Sequence, residues 1–247
     1  MSQLDAMKIK IFADGADLDR MLAMYADPRI AGFTTNPTLM RKAGIANYEA
    51  FAKSVLERIP DRPISFEVFA DDFDDMDRQA RLIAGWGRNV NVKIPITNTL
   101  GQSSADLIGR LSGDGIMVNV TAIMTVDQVR TVAAALHPGS QSIVSVFAGR
   151  IADTGRDPIP LMRSCLDCLA DQPGASLLWA SPRELLNLFQ AEEMGCQIIT
   201  MTNDLLAKMA MIGKDLDIFS LDTVKMFRTD AQAADYTLKT SGAAVPN

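Results

Sequence analysis

Three ionisable residues stand in apolar runs where charge is out of place: Asp14 after Ile11-Phe12-Ala13, Glu67 after Ile64-Ser65-Phe66, and Lys93 inside Val90-Asn91-Val92-Lys93-Ile94. Successive side chains of a strand face opposite sides, so the apolar set Val90, Val92 and Ile94 leaves Asn91 and Lys93 together on the other face. The same division pairs Asn119 with Thr121, Ser65 with Glu67, and Ser145 with Phe147, while Thr34 shares a parity with Asn36 and Trp179 with Ser181. Burying a lysine and two carboxylates without partners is costly, so their repetition at strand ends calls for a reason. Desolvation pushes a lysine toward the free amine, the form that attacks a carbonyl. The iminium so formed withdraws electrons and allows the neighbouring carbon–carbon bond to break without a metal or organic cofactor. Asp14 and Glu67 could move the protons, the amides and hydroxyls could fix a polyol, and Phe147 and Trp179 could form apolar walls. A purely structural network of Lys93 with Glu67 or Asp14 is the competing reading of the same pattern.

Such a site needs a scaffold that brings strand ends to one point. Strand patterns occur at Lys8–Ala13, Gly32–Thr35, Ile64–Phe69, Val90–Ile94, Ile116–Val120, Ser142–Phe147, Ser176–Ala180 and Gln197–Met201. Between them, apolar positions three and four apart predict helices over Leu18–Tyr25, Tyr48–Arg58, Asp72–Gly85, Ser103–Leu111, Val126–Ala135, Ile159–Ala170, Arg183–Met194 and Asp204–Ile212. Asp17 and Thr125 are placed to cap helix starts, Pro182 suits a first helical position, and Gly139, Gly174 and Gly195 follow helical patterns. Strict alternation predicts an α/β fold with a parallel sheet, and eight units favour closure into a (β/α)8 barrel of the TIM type, which builds its sites at the C-terminal ends of the strands. No Gly-x-Gly-x-x-Gly follows the first strand, which argues against a dinucleotide site. The chain reads as one domain over 1–247, with a barrel core at about 7–212 and a helical extension over 213–240. In that extension Ile218, Phe219, Leu221, Val224 and Phe227 are available for burial on the barrel or on a neighbouring subunit. The tail after Thr240 is small and polar enough to fray.

At 247 residues the chain has the usual size of one such barrel, and 48% apolar with 22% charged residues is an ordinary globular composition. No run is long and apolar enough for a membrane span, and Met1 to Lys10 lacks the pattern of a secretory signal, so a cytoplasmic location is expected. A net charge of −6 with interspersed signs offers no basic stripe for nucleic acid, while a few local arginines could still hold an anionic small molecule. Cys165 and Cys168 have the spacing of a redox or metal pair. They lie in an amphipathic segment with no second ligand pair, and His137 is the chain's single histidine, so the pair reads as structural and no metal is expected.

The motifs Phe12-Ala-Asp14, Gly32-Phe-Thr-Thr-Asn36-Pro-Thr, Val92-Lys93-Ile-Pro, Val118-Asn119-Val-Thr121, Ser145-Val-Phe147-Ala-Gly-Arg150 and Ala180-Ser181-Pro-Arg183, in this order, resemble those of the transaldolases, especially the small barrel enzymes of the transaldolase and fructose-6-phosphate aldolase group. The resemblance spans nearly all of residues 7 to 212. It implies that Lys93 is a Schiff-base lysine and that Asp14 takes the proton from the hydroxyl beside the bond being cleaved. It gives Glu67 and Thr121 a water that shuttles protons, and makes Asn36, Asn119 and Ser145 the holders of a dihydroxyacetone unit, with Thr34 beside them in the substrate site. Arg150, Ser181 and Arg183 would form the phosphate site. In the aldolase branch a glutamine stands at the position of Glu67 and a tyrosine at that of Phe147, so the sequence looks like a transferase. The implied reaction moves dihydroxyacetone from a ketose phosphate, such as fructose 6-phosphate or sedoheptulose 7-phosphate, to an aldose phosphate. An aldolase releasing free dihydroxyacetone is the alternative, and a specialised sugar pathway fits as well as the pentose phosphate route. Relatives assemble through the C-terminal helix, which implies a homo-oligomer. Phe33, usually small or aliphatic, and the stretch Thr97 to Gly101, one residue longer than usual, depart from the family pattern and are expected near the mouth of the site.

Overall fold

The β-branched runs become eight strands in the computed structural model, which describes residues 3–238. They are β1 (Lys10–Asp14), β2 (Ile30–Thr34), β3 (Ile64–Glu67), β4 (Val90–Pro95), β5 (Val118–Ile123), β6 (Ser142–Val146), β7 (Ala175–Trp179) and β8 (Ile198–Thr202). Between and after them lie α1 (Leu18–Tyr25), α2 (Pro37–Lys42), α3 (Tyr48–Arg58), α4 (Phe73–Ala84), α5 (Ala105–Gly113), α6 (Val126–Ala135), α7 (Ala148–Ala152), α8 (Pro158–Cys168), α9 (Leu186–Glu193), α10 (Asn203–Ala207) and α11 (Leu216–Ala233). Every strand pairs in parallel with the next and β8 closes on β1, so the sheet is the predicted TIM barrel.

The helices form where an apolar stripe repeats every three or four residues. α4 buries Met76, Ala80 and Ile83, α3 buries Phe51, Ala52, Val55 and Leu56, and α6 buries Val129, Val132 and Ala133. The outward faces of the strands supply the other half of that layer, with Val92, Ile94, Val118 and Val120 fully buried. Asp17 caps α1 by accepting from the Arg20 amide, and Thr125 caps α6 in a reciprocal pair with Gln128.

Three local expectations are corrected. Pro182 does not start a helix: Ser181 takes a left-handed φ of +57°, and the Arg183 and Glu184 amides donate to Asn187 Oδ1, which delays α9 to Leu186. The short helices α2 and α7 were not foreseen, because five or six residues are too few to display a period. Trp179 is fully buried but does not line the barrel's cavity; Leu178 and Ala180 face it instead.

The chain forms two compact units that meet in sequence at Ala207 and Lys208, the barrel strands all lying in the first. In the second, α11 is capped by Asp215 and buries none of its side chains, leaving Leu216, Ile218, Leu221, Val224 and Phe227 exposed. No helix among the described residues is long and apolar enough to cross a membrane. The tail after Thr240 lies outside the described residues.

Candidate active site

A cavity of about 510 Å³ sits on the barrel axis at the C-terminal ends of the strands. All eight strands reach it: Asp14, Thr34, Glu67, Lys93, Thr121, Ser145, Leu178 with Ala180, and Thr200 with Thr202. The loops and short helices beyond them add Asn36, Phe147, Arg150, Ser181 and Arg183. Of the thirteen residues given a place in the site from the sequence, Trp179 and Asn119 do not line this space; Asn119 is fully buried beside it, donating to Ser65 Oγ at 3.0 Å and accepting from Ser145 Oγ at 2.7 Å.

Part of the barrel interior is apolar. Phe12, Ile143, Leu178, Ala180 and Ile198 pack into one cluster there, and Gly32 is required because a Cβ would meet the Phe12 ring at 2.6 Å. The polar groups of the cavity adjoin this cluster and the buried Asn119–Ser65 pair, an enclosed setting where hydrogen bonds and charges count for more than in water.

Lys93 is 6% exposed, and its ammonium is held between two oxygens, donating to the Thr35 carbonyl at 3.0 Å and lying 3.3 Å from Glu67 Oε2. Strand register explains the second contact, since Glu67 and Lys93 are direct partners across β3 and β4. Asp14 ends β1 and accepts from Thr34 Oγ1 at 2.7 Å; Thr34 Oγ1 in turn lies 2.5 Å from Thr200 Oγ1. Burial raises the Asp14 carboxyl above its ordinary range, Lys93 and the Thr34 hydrogen bond pull it down, and Glu67 adds to the rise. The Thr121 hydroxyl is buried at the cavity wall with no protein partner among the described residues.

Asn36 serves twice, capping α2 by accepting from the Leu39 amide while lining the cavity. Arg150 lies with its guanidinium 5.2 Å from the centre of the Phe147 ring. No carboxylate among the described residues forms an ion pair with it. Arg183 is paired with Asp153, with Nε donating to Oδ1 at 2.9 Å, and this contact first, then Arg150 at longer range, holds the Asp153 carboxyl low. Gly149 permits Ser181 to reach the cavity: a Cβ there would fall 1.5 Å from the Ser181 carbonyl oxygen.

Two expectations about the mouth are corrected. Phe33 is fully buried and points away from the cavity, because its neighbour Thr34 takes the inward parity. The stretch after Lys93 folds on itself through Asn98, which accepts from the Leu100 and Gln102 amides, and Thr99 is held by Asp71, so none of it lines the cavity. Residues not foreseen are Thr200, Thr202 and Lys42. The two threonines were readable by parity against Ile199 and Met201, and Asn36 before Pro37 was a helix-start signal that would have brought Lys42 into view. Cys165 is a free buried thiol pushed up to about 12, chiefly by burial.

Fold and cavity define a TIM barrel whose axial site holds a buried lysine paired with the Glu67 carboxylate, with the Asp14 carboxylate in the same cavity. A family model described as transaldolase/fructose-6-phosphate aldolase matches residues 11–244, and the chain belongs to that family of enzymes. A probable transaldolase of Dehalococcoides mccartyi is 32% identical over 202 residues, covering 81% of this chain and 90% of the relative. One of Streptococcus equi subsp. zooepidemicus is 35% identical over 204 residues, with coverage of 81% and 90%. Among solved structures, dihydrodipicolinate synthase from Rhodopseudomonas palustris matches with a TM-score of 0.55 at 18% identity, over 81% of this chain and 71% of that one, a likeness of fold alone.

Proposed function

We propose that this protein is a dihydroxyacetone transferase that works through a Schiff base on Lys93. The observation that carries the reading is the placement of the Lys93 amine: nearly closed to solvent, on the barrel axis, with Glu67 on one side and Asp14 in the same cavity. The amine adds to the ketose carbonyl, and loss of water gives the iminium. Asp14 takes the proton of the hydroxyl next to the bond being cleaved; the carbon–carbon electron pair moves into the iminium, leaving an enamine on Lys93 and releasing the aldose. Addition of the enamine to an acceptor aldose phosphate, with Asp14 returning its proton, and hydrolysis of the resulting imine complete the transfer. Glu67 and the unpartnered Thr121 hydroxyl are suited to hold the water that carries protons during imine formation. Asn36 and Ser145, with Thr34, serve the three-carbon unit, and Asn119, buried beside the cavity, orients the Ser145 hydroxyl that donates to it. Arg150, with Ser181 and Arg183, serves the phosphate, and the absence of a carboxylate ion pair on Arg150 among the described residues supports that role. No cofactor enters these steps.

Glu67 and Phe147 favour transfer over release, since Phe147 brings no hydroxyl to the cavity wall that could protonate the enamine. The test is borohydride trapping with fructose 6-phosphate, followed by mass spectrometry of the peptide containing Lys93, together with glyceraldehyde 3-phosphate release measured with and without an aldose phosphate acceptor. An adduct on Lys93 and acceptor-dependent turnover are expected. Acceptor-independent turnover at the same rate would establish an aldolase instead, and no adduct on Lys93 would remove the mechanism.

The unburied apolar residues of α11 support a homo-oligomer assembled through that helix as an extension of one barrel domain. Light scattering of the native chain, and of Leu221→Glu, checks this: the native protein should exceed the mass of one chain and the variant should fall toward it.

A further inference from the structure

Strand β3 ends on a partner that is not a strand. Along the seam between β2 and β3 the rungs run from the Phe33 amide to the Pro63 carbonyl at 2.9 Å and from the Thr35 amide to the Ser65 carbonyl at 3.1 Å. The next rungs of a parallel ladder would carry the Glu67 amide to the Thr35 carbonyl, and the amide of residue 37 to the Glu67 carbonyl. Neither exists. Residue 37 is proline and has no N–H to give, and the Thr35 carbonyl is occupied by Lys93 Nζ at 3.0 Å. Both β2-facing groups of Glu67 are satisfied by one phenol on α3: the Glu67 amide donates to the Tyr48 hydroxyl at 2.7 Å, and that hydroxyl donates to the Glu67 carbonyl at 2.8 Å.

We propose that Tyr48 is a positioning residue for the active site, its hydroxyl replacing the missing β2 rungs so that the Thr35 carbonyl is left to hold the Lys93 amine and Glu67 is fixed beside it. The phenol is aimed by packing. Its ring meets Phe66, Phe69 and Trp86 edge-on or tilted, with centroids 6.3, 5.6 and 5.8 Å away. Burial raises the Tyr48 phenol well above its ordinary range, so it keeps the proton that it donates to the Glu67 carbonyl. Without the hydroxyl, the part-buried Glu67 amide loses its partner, and the acceptor that a continued parallel ladder offers it is the Thr35 carbonyl. Closing that rung brings a second donor to the oxygen that Lys93 uses, in competition with it, and draws the end of β3 toward β2, moving the carboxylate with it.

The catalytic meaning of this arrangement rests on the Schiff-base reading, while its geometry does not, and the experiment separates the two. Tyr48→Phe keeps the ring and removes only the hydroxyl; Trp86→Phe loosens the same aromatic cluster and leaves the hydroxyl in place. For the first, the rate constant of borohydride-trappable imine formation should fall roughly tenfold to a hundredfold with KM for the ketose phosphate little changed. For the second, the melting temperature should fall and the rate constant should hold. In a crystal structure of Tyr48→Phe, Lys93 Nζ should have left the Thr35 carbonyl. If the native enzyme gives no adduct on Lys93, the functional reading fails and the crystal structure alone decides the positioning role. An unmoved Lys93 in that structure, an unchanged rate constant in Tyr48→Phe, or equal slowing by the two variants overturns the proposal.

Discussion

Lys93 and Glu67 face one another in the register of β3 and β4, and their side chains meet above it with Nζ 3.3 Å from Oε2. The pair is enclosed unevenly: the Lys93 side chain is 8% exposed and that of Glu67 is 19%. The lysine therefore depends on its protein partners, whereas the carboxylate keeps a face toward the cavity.

Removing the amine tests the nucleophile. Lys93→Ala is expected to abolish turnover and adduct formation while the barrel still folds, because Glu67 can hydrate from the cavity once its cation is gone. The loss of stability should be about 1–3 kcal/mol, read from chemical unfolding alongside an unchanged circular dichroism spectrum.

Replacing Glu67 by its amide keeps the shape and removes the proton acceptor. Glu67→Gln should slow imine formation and raise the share of ketose phosphate cleaved without an acceptor. Stopped-flow trapping gives the first quantity, and dihydroxyacetone assayed in the absence of acceptor gives the second. A variant with native trapping rates would show that Glu67 holds Lys93 without taking part in proton transfer.

Asp14 carries a pH signature. Its folded carboxyl titrates above the ordinary value of 3.8, chiefly because burial disfavours the charged form. A group raised in this way favours folding fully below its unfolded pKa, and that contribution is lost as pH rises through the folded pKa. Asp14→Asn should therefore be more stable than the native chain at neutral pH, with the difference shrinking as pH falls toward 4. Paired urea titrations at the two pH values check it. Activity should drop roughly 10²–10⁴-fold in the same variant, the usual contribution of a positioned base.

The two arginines should separate in their kinetics. Arg150 has no carboxylate ion pair among the described residues, so Arg150→Ala should raise KM for sugar phosphates roughly 10- to 100-fold, equivalent to losing a charged hydrogen bond. Arg183 is held by Asp153 and should cost less when replaced by alanine. Steady-state kinetics with phosphorylated and unphosphorylated sugars distinguishes a phosphate contact from a general loss of activity.

Gly149 is a packing prediction independent of the chemistry. A methyl group there would fall 1.5 Å from the Ser181 carbonyl oxygen, so α7 or the turn at Ser181 must move. Gly149→Ala should lose about 1–3 kcal/mol, visible as a lower melting temperature, and should weaken phosphate binding because both Ser181 and Arg150 are carried by the displaced segments.

The sequence by itself determined the barrel and most of its axis. Period-two and period-three-to-four patterns alternate cleanly, and polar residues in apolar strands mark the inward face, so Asp14, Glu67, Lys93, Thr121 and Ser145 were legible from parity alone. Parity failed in the seventh unit, where the left-handed Ser181 breaks the alternation that had grouped it with Trp179, and Leu178 and Ala180 face the cavity. Only the tertiary structure decided which groups neutralise one another. The binding of Arg183 by Asp153, the seating of Lys93 on the Thr35 carbonyl and the bracing of Glu67 by Tyr48 join residues 30, 58 and 19 positions apart. Periodicity within an element fixes the side on which a residue stands; its partner across the barrel depends on closure, and closure is a property of the whole sheet.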